Sequence, residues 1–457
     1  MDAKNNETRA AWWSGLITYS ARTDVGMKRH MNQDSYAVLP APSARMWRSR
    51  GHVFVVADGM GAHKAGELAS KLAATEAPQS YLKRTSQSSV ESLRDALIDA
   101  HMIIKKRGES DLSFKDMGTT CDMLVLQPGV GYVGHVGDSR VYRLRGVTFE
   151  QLTFDHSLAW EVKYYPNAHS SYIQATHIPK NIITRSLGPT EHLTVDVEGP
   201  FDTQPGDVFL MCSDGLSTRV ADSEIAQILK LFAPEDATQA LVNLANLRGG
   251  QDNCTVVVVR VDSNDAPETC AADRSFEKKP PLSMAAWFFF SLAFIAAVLA
   301  ILFFVMKNVA LGGSLCVVAI AALSFALFVG RSSIFGSQPP SSDETEAKFK
   351  GPYIRSSAEP SSEFCDKLET TCSKLCEQLR RDQNVEPDWK GVDQARELAR
   401  SAREKKDYAD AIRANITVVN YMMEGVRKYV ELTRRTRSHS HHDVGGVSGT
   451  HSKDPAR

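Results

Sequence analysis

The chain has 457 residues, too many for one hydrophobic core, so two or three structural units are expected. Lys and Arg total 53 against 54 Asp and Glu, and the net charge of -1 argues against nucleic acid or another polyanion as the dominant partner. Cysteines 121, 212, 254, 270, 316, 365, 372 and 376 form no CxxC pair and read as reduced, buried thiols of a cytosolic compartment. Cys372 and Cys376, one helical turn apart, have no neighbouring His or Cys at a spacing that would complete a metal site, and count as core.

Residues 1–15 form an N-terminal extension. Trp12 and Trp13 are followed at once by Ser14 and Gly15, with no apolar run before a cleavage site, so no signal peptide is expected. Residues 16–262 then alternate short β-branched runs with helical stretches. Strands are predicted at Ile17–Arg22, His52–Ala57, Cys121–Gln127, Gly131–His135, Arg140–Arg145, Asp207–Cys212 and Thr255–Val261. Helices are predicted at Gly66–Lys83, Ser89–Arg107 and Pro234–Arg248. The excess of strands, with a hairpin at "QPGVG", points to one α+β sandwich domain rather than a doubly wound parallel sheet.

A linker, 263–281, leads to two charge-free runs, 282–306 and 309–330, each longer than the ~18 to 20 residues that span a bilayer core. They are read as a two-helix transmembrane hairpin. Lys278, Lys279 and Arg331 flank the hairpin, against Lys307 alone in its turn, so the positive-inside rule puts both large segments in the cytoplasm. The expected localisation is therefore a multi-pass protein of the cell membrane. Residues 338–363, rich in Ser, Pro and charge, read as a disordered linker. Residues 364–435 carry apolar side chains at three- and four-residue steps, such as Phe364, Leu368, Cys372, Leu375 and Leu379, and predict a small all-α region. Its stretch "ARELARSAREKKDYADAIRAN" weakly resembles one tetratricopeptide-like hairpin, and a protein partner for these helices is an expectation. The His-, Ser- and Gly-rich tail, 436–457, is expected to be disordered.

Chemistry concentrates in the first domain. Asp58 follows "VFVVA" and precedes Gly59; Asp138 follows "GYVGHVG"; Asp214 follows "DVFLMCS"; Asp252 precedes "NCTVVVV"; Asp34 ends "RHMNQD". Any one of these acids serves equally well as a helix cap or turn former. Five at strand ends are different: carboxylates brought together repel unless cations lie among them. Oxygen-only ligands suit Mg²⁺ or Mn²⁺, several acids allow two ions bridged by one carboxylate, and a glycine beside the acid admits a backbone carbonyl. Such a pair activates water for in-line attack on phosphorus, and Arg29 is the nearest guanidinium able to hold two phosphate oxygens.

With these residues stand "TDVGMKRHMNQDS", "VVADGMGAHKAGELAS", "MGTTCDMLVL", "GHVGDSRVYRL", "LTFDHSL", "NIITRSLG", "LMCSDGLS" and "GGQDNCTVVVV", in that order. Together they resemble the bacterial form of the protein phosphatase 2C family of metal-dependent Ser/Thr phosphatases, over nearly all of 16–262. The resemblance implies a four-layer α-β-β-α sandwich with two Mn²⁺ or Mg²⁺ ions between its sheets. Asp58 would bridge both ions, the Gly59 carbonyl would ligate one, and Asp214 and Asp252 would complete the pair. Asp138 would contribute to a third, weaker metal site, Arg29 would bind phosphate, Asp34 would support the metal-bound water, and Asn253 counts as a supporting residue. The implied reaction is direct hydrolysis of phosphoserine or phosphothreonine by metal-bound hydroxide, on phosphoproteins that Ser/Thr kinases produce.

The sequence departs from the family pattern in places. Gln33 stands where many members have Glu, Ala62 replaces a glycine, and Met60 occupies the position of a proposed general acid in some relatives. His63 is read as a turn-stabilising residue. "YYPNAHSSYIQATH" would form the flap over the substrate, but it lacks a standard sequence and leaves substrate choice open, including a non-protein phosphate ester. The alternative reading is a pseudophosphatase, a binding module that scaffolds a membrane signalling complex.

Overall fold

The computed structural model describes residues 15–61, 64–165, 182–265, 350–382 and 384–442, with isolated positions between 295 and 320. Two compact units emerge, one formed by Met1–Ala266 with Ala347–Arg457, the other by Pro267–Glu346. The first unit opens with β1 (Ile17–Asp24), β2 (Asp34–Leu39), α1 (Ala44–Arg50), β3 (His52–Met60), α2 (Ala65–Lys83) and α3 (Ser89–Ser110). It continues with β4 (Gly118–Thr119), β5 (Cys121–Gln127), β6 (Val130–Val136), β7 (Arg140–Arg145), β8 (Thr148–Gln151) and α4 (Leu158–Tyr164). Next come β9 (Asp196–Asp202), β10 (Val208–Cys212), the single turn α5 (Asp214–Ser217), α6 (Asp222–Leu231), α7 (Pro234–Leu247) and β11 (Cys254–Val261). Past the second unit lie β12 (Ile354–Ser357), α8 (Ser362–Arg381), α9 (Trp389–Glu404) and α10 (Tyr408–His442).

The strands form two antiparallel sheets. One runs β1-β11-β10-β7-β8-β12, the other β2-β3-β5-β6-β9, with β4 paired to β3. Strand alternation explains the layers. On β3, Phe54 and Val56 face a core shared with Leu124, Phe209, Met211, Val257 and Val259, drawn from both sheets. The intervening Val53, Val55 and Ala57 pack under α2 and α3, against Ala69, Ala73, Leu93 and Leu97. A strand buried on both faces has no polar alternation, which is why β3 reads as the unbroken run V-F-V-V-A. On the far side, Leu210, Val256 and Val258 pack with Ile225, Leu229, Leu241 and Leu244 of α6 and α7. These layers make an α-β-β-α sandwich.

Several elements differ from the sequence reading. Strands β2, β8 and β9 and helices α1 and α6 are not legible as hydrophobic runs: β2, β8 and α1 are short or half-exposed, while β9 and α6 bury polar residues, Glu198, Glu224 and Gln227, among their apolar ones. Ile354–Ser357, expected inside a disordered linker, is an edge strand: it pairs antiparallel with β8 from Ile354 opposite Gln151 to Ser357 opposite Thr148. An edge strand's unpaired amides and carbonyls accept a polar segment as readily as an apolar one. Arg355 Nε donates to Glu150 at 3.1 Å, and Tyr353 Oη donates to Glu198 at 2.6 Å.

The C-terminal helices are likewise part of the first unit. Phe364, Cys365 and Leu368 of α8 and Ala411, Ile412 and Ile416 of α10 complete the core around α6 and α7. A second cluster holds Cys372, Cys376, Val392, Val418, Val419, Met422 and Met423. Helix α10 runs to His442, past the expected boundary at 435. The two apolar runs 282–306 and 309–330 lie outside the described residues, apart from isolated helical positions. Among the described residues, no helix is long and apolar enough to cross a membrane.

Candidate active site

The acids converge where the two sheets end. Asp34 opens β2 and stands directly opposite Asp58 on β3. Asp58 lies within its strand rather than beyond it, because the β2 and β4 partners on either side extend the pairing to Met60. Its backbone N–H donates to Thr120 Oγ1 at 2.8 Å, and Thr120 Oγ1 shares a 2.8 Å hydrogen bond with Ser139 Oγ. Thr120 thereby ties β3 to the turn that carries Asp138. From the other sheet, Ser213 Oγ donates to Asp34 Oδ2 at 2.8 Å and accepts from the Thr255 amide at 2.9 Å. Asp214, the next residue, starts α5.

Two glycines set the backbone. A Cβ on Gly59 would lie 2.1 Å from the Gly66 carbonyl oxygen and 2.6 Å from that of Gln33, so only glycine lets the chain pass there. A Cβ on Gly215 would lie 1.9 Å from the Asn253 carbonyl oxygen, which presses the Asp214 turn onto the Asp252 loop. Asn253 staples the loop before β2: Oδ1 accepts from the Gln33 amide at 2.8 Å, and Nδ2 donates to the carbonyls of Val25 and Met31, each at 2.9 Å. That loop carries Arg29, whose Nη2 donates to Asp252 Oδ2 at 2.9 Å while half of its side chain stays exposed.

Burial and crowding shift the pKa values of Asp34, Asp58, Asp138 and Asp214. Loss of water around the Asp34 carboxyl, with Asp214 and Asp252 nearby, raises its pKa from 3.8 to about 7 despite hydrogen bonds from Thr255 and Ser213. Desolvation together with Asp34, Asp214, Asp138 and Asp252 holds Asp58 well above the usual carboxylate range. Asp138 is pushed up to about 7 by burial and then by Asp214 and Asp155. Asp214 rises to about 6 through burial and Asp252, with a hydrogen bond to Asp58 working the other way. Asp34 Oδ1 and Asp138 Oδ1 are buried without a hydrogen-bond partner. Among the described residues, no three His, Cys, Asp or Glu side chains stand in a ready-made ligand array. The fit to cations rests instead on the donor set: mutually repelling carboxylates, two unpartnered buried oxygens and a strand that only glycine allows.

The structure thus brings together Arg29, Asp34, Asp58, Gly59, Asp138, Asp214, Asp252 and Asn253. His63 and Ala62 lie outside the described residues, as does 166–181, most of the expected flap. Sequence reasoning gave no role to Ser213, Thr120 or His156, although each sits in a quoted stretch. His156 Nδ1 accepts from the Gly137 amide at 3.1 Å, and its Nε2–H faces Asp196 at 2.9 Å. Burial and the neighbouring His135 push its pKa down to about 4, so it is a neutral, fixed tautomer beneath the Asp138 turn. Burial alone would lower His135 too, but the Asp122 carboxylate at 2.5 Å outweighs it and raises the pKa.

Residues 28–246 match the family model described as protein phosphatase 2C. Protein phosphatase PhpP of Streptococcus pneumoniae is 35% identical over 254 residues, which cover 54% of this chain and 98% of the relative. Serine/threonine phosphatase stp of Listeria monocytogenes is 33% identical over 247 residues, 53% of this chain and 94% of the relative. Among solved structures, the catalytic domain of the serine threonine protein phosphatase PstP, in complex with 2 manganese ions, is 29% identical. It covers 54% of this chain and 98% of its own, with a TM-score of 0.44. The Mycobacterium tuberculosis serine/threonine phosphatase PstP/Ppp is 30% identical with the same coverages and a TM-score of 0.45.

Proposed function

Because this chain belongs to the protein phosphatase 2C family, we propose that it is a membrane-anchored phosphoprotein phosphatase that hydrolyses phosphoserine and phosphothreonine with two Mn²⁺ or Mg²⁺ ions. The observation that carries this reading is the convergence of Asp34, Asp58, Asp138 and Asp214, each raised well above the carboxylate range. A fold with no use for cations gains nothing from that repulsion.

Asp58, the Gly59 carbonyl, Asp214 and Asp252 would hold the ion pair, and Asp138 a third, weaker ion. When bound, the ions supply an activated water and offset negative charge on the phosphoryl group. Arg29, half-exposed at the rim, offers a planar fork for two phosphate oxygens. Asp34, anchored by Ser213, keeps one oxygen free to accept a hydrogen bond from the attacking water. Thr120 and Ser139 hold the Asp58 strand and the Asp138 turn at a fixed separation.

The membrane anchor is supported by the two charge-free runs and by their described positions: Ile295, Leu299, Ile301, Leu302 and Ile320 are exposed apolar side chains in helical backbone. The cytoplasmic placement of both large segments rests on the flanking lysines and arginine. A protein partner for the C-terminal helices would use the outward side of α9, where Leu398 is exposed, since α8 and α10 are turned onto the phosphatase domain.

The test is phosphate release from a phosphothreonine peptide by the full chain, with and without Mn²⁺, beside Asp58→Asn and Asp214→Asn. Metal-dependent turnover lost in both variants is expected. A folded chain that binds Mn²⁺ and releases no phosphate would replace this reading with that of a binding module.

A further inference from the structure

Helix α10, far outside the 28–246 match, reaches the loop that carries Arg29. That loop leaves β1 at Asp24, whose Oδ1 accepts from the Gly26 amide at 2.8 Å. The amides of Met27 and Lys28 then donate to the Gly250 carbonyl at 2.8 and 3.1 Å. A Cβ on Gly26, at φ +79°, would lie 2.3 Å from the Asp252 carbonyl oxygen. The Arg29 loop and the Asp252 loop are therefore one packed body.

The C-terminal helices hold this body from outside at two places. Met27, two residues before Arg29, and Leu247, at the end of α7, pack against the cluster that includes Val418, Val419, Met422 and Met423. One turn further, Arg427 Nη2 donates to Asn243 Oδ1, and Asn243 Nδ2 donates to Asn420 Oδ1 at 2.8 Å, which binds α10 to α7. Arg427 Nε, buried and without a hydrogen-bond partner, faces Asp24 Oδ2 at 3.7 Å. The guanidinium is partly exposed, but its Nε is closed off from water and faces the carboxylate that caps the loop, which makes the contact a specific one.

We propose that α10 is a positioning element of the phosphatase site: Arg427, through Asp24, and the helical cluster to which α10 contributes Val418, Val419, Met422 and Met423, through Met27, fix the loop that presents Arg29 to phosphate. The inference rests on Arg29 binding the phosphoryl group. Arg427 touches no reacting atom, so its effect travels only through the loop. It makes the C-terminal helices part of the catalytic unit.

The experiment uses the full chain with Arg427→Met and, as the conservative variant, Arg427→Lys. Arg427→Met is expected to raise KM for a phosphothreonine peptide and the inhibition constant of inorganic phosphate about fivefold, the scale of one partly exposed charged contact. The Mn²⁺ concentration for half-maximal activity should stay unchanged, Arg427→Lys should recover most of the loss, and amide exchange over residues 26–30 should quicken. In an Arg29→Ala background, Arg427→Met should add nothing. Unchanged KM and exchange, or an undiminished effect without Arg29, would overturn the proposal. If Arg427→Met does not fold, Asp24→Asn, which keeps the Gly26 hydrogen bond and removes the facing charge, is held to the same outcomes. A wild-type chain with no turnover defeats the phosphatase reading instead, and the exchange of 26–30 still decides whether Arg427 holds the loop.

Discussion

Asp34 and Asp58 stand directly opposite each other across β2 and β3, with Ser213 from the other sheet donating to Asp34 at 2.8 Å. Like charges at directly opposed strand positions destabilise a sheet. The pair therefore costs stability in the metal-free chain, a cost that the proposed metal chemistry would account for. Asp34→Asn removes one charge and keeps an acceptor for Ser213. It is expected to stabilise the chelated protein by about 1 kcal/mol, a rise in Tm of about 2–4 °C, and to lower Mn²⁺-dependent turnover at least ~10-fold. Thermal unfolding in chelator beside steady-state phosphate release checks both; unaltered turnover would remove Asp34 from the site.

The raised carboxyls fix a pH dependence. For a carboxyl whose folded pKa lies above its unfolded value, stability is fully present below the unfolded pKa, near 3.8, and falls as pH rises through the folded one. With Asp34 and Asp138 near 7 and Asp214 near 6, the metal-free protein should lose stability between pH 4 and 7. Cations must displace those protons, so Mn²⁺ affinity should weaken about tenfold per pH unit for each proton displaced below pH 6. The increase in Tm on adding Mn²⁺ should be larger at pH 8 than at pH 5.5. An equal increase at both would mean that these carboxyls do not bind the ion.

How far this could be read from the sequence depends on whether a feature is local. Asp58 and Gly59 are legible because a doubly buried strand ending in a charge is anomalous within a few residues. The Asn253 staple joins residues more than 200 positions apart, to Val25, Met31 and Gln33, and nothing in "QDN" specifies its partners. Periodicity also showed that α10 has an apolar stripe but not what covers it. The stripe is shared, with Ile412 and Ile416 in the sheet-domain core and Val419 and Met423 in the helical cluster. Strand β12 is not legible because "IRSS" carries no apolar alternation, its pairing being backbone to an exposed edge.

Arg29 pairs with Asp252 at 2.9 Å, yet half of its side chain is exposed. An ion pair of that exposure contributes about 0–1 kcal/mol, so Arg29→Ala should leave Tm nearly unchanged. Its loss should instead appear in catalysis, as a fall in kcat/KM of about 10- to 100-fold with a phosphothreonine peptide. Arg29→Lys should recover little, because an ammonium cannot hold two phosphate oxygens in one plane. A kcat/KM close to wild type in Arg29→Ala would reassign phosphate binding to another group.

Phe364 on α8 is buried to 2% exposure among residues of α6, α7 and α10, so the phosphatase core is completed by residues some 100 positions beyond β11. Truncating it leaves a cavity the size of a phenyl ring, and Phe364→Ala should cost about 3–5 kcal/mol in urea unfolding of the full chain. A fragment ending at residue 265 uncovers the same face of Ile225, Leu229 and Leu241, an apolar patch of a kind that soluble domains rarely expose. It is expected to unfold at lower urea than the full chain and to self-associate. A single cooperative transition for the full chain, followed in both the phosphatase domain and the C-terminal helices, would show that they fold as one. Separate transitions, with Phe364→Ala moving only the helical one, would mean that the helices are an appendage, and phosphatase stability would then be set by residues 16–262 alone.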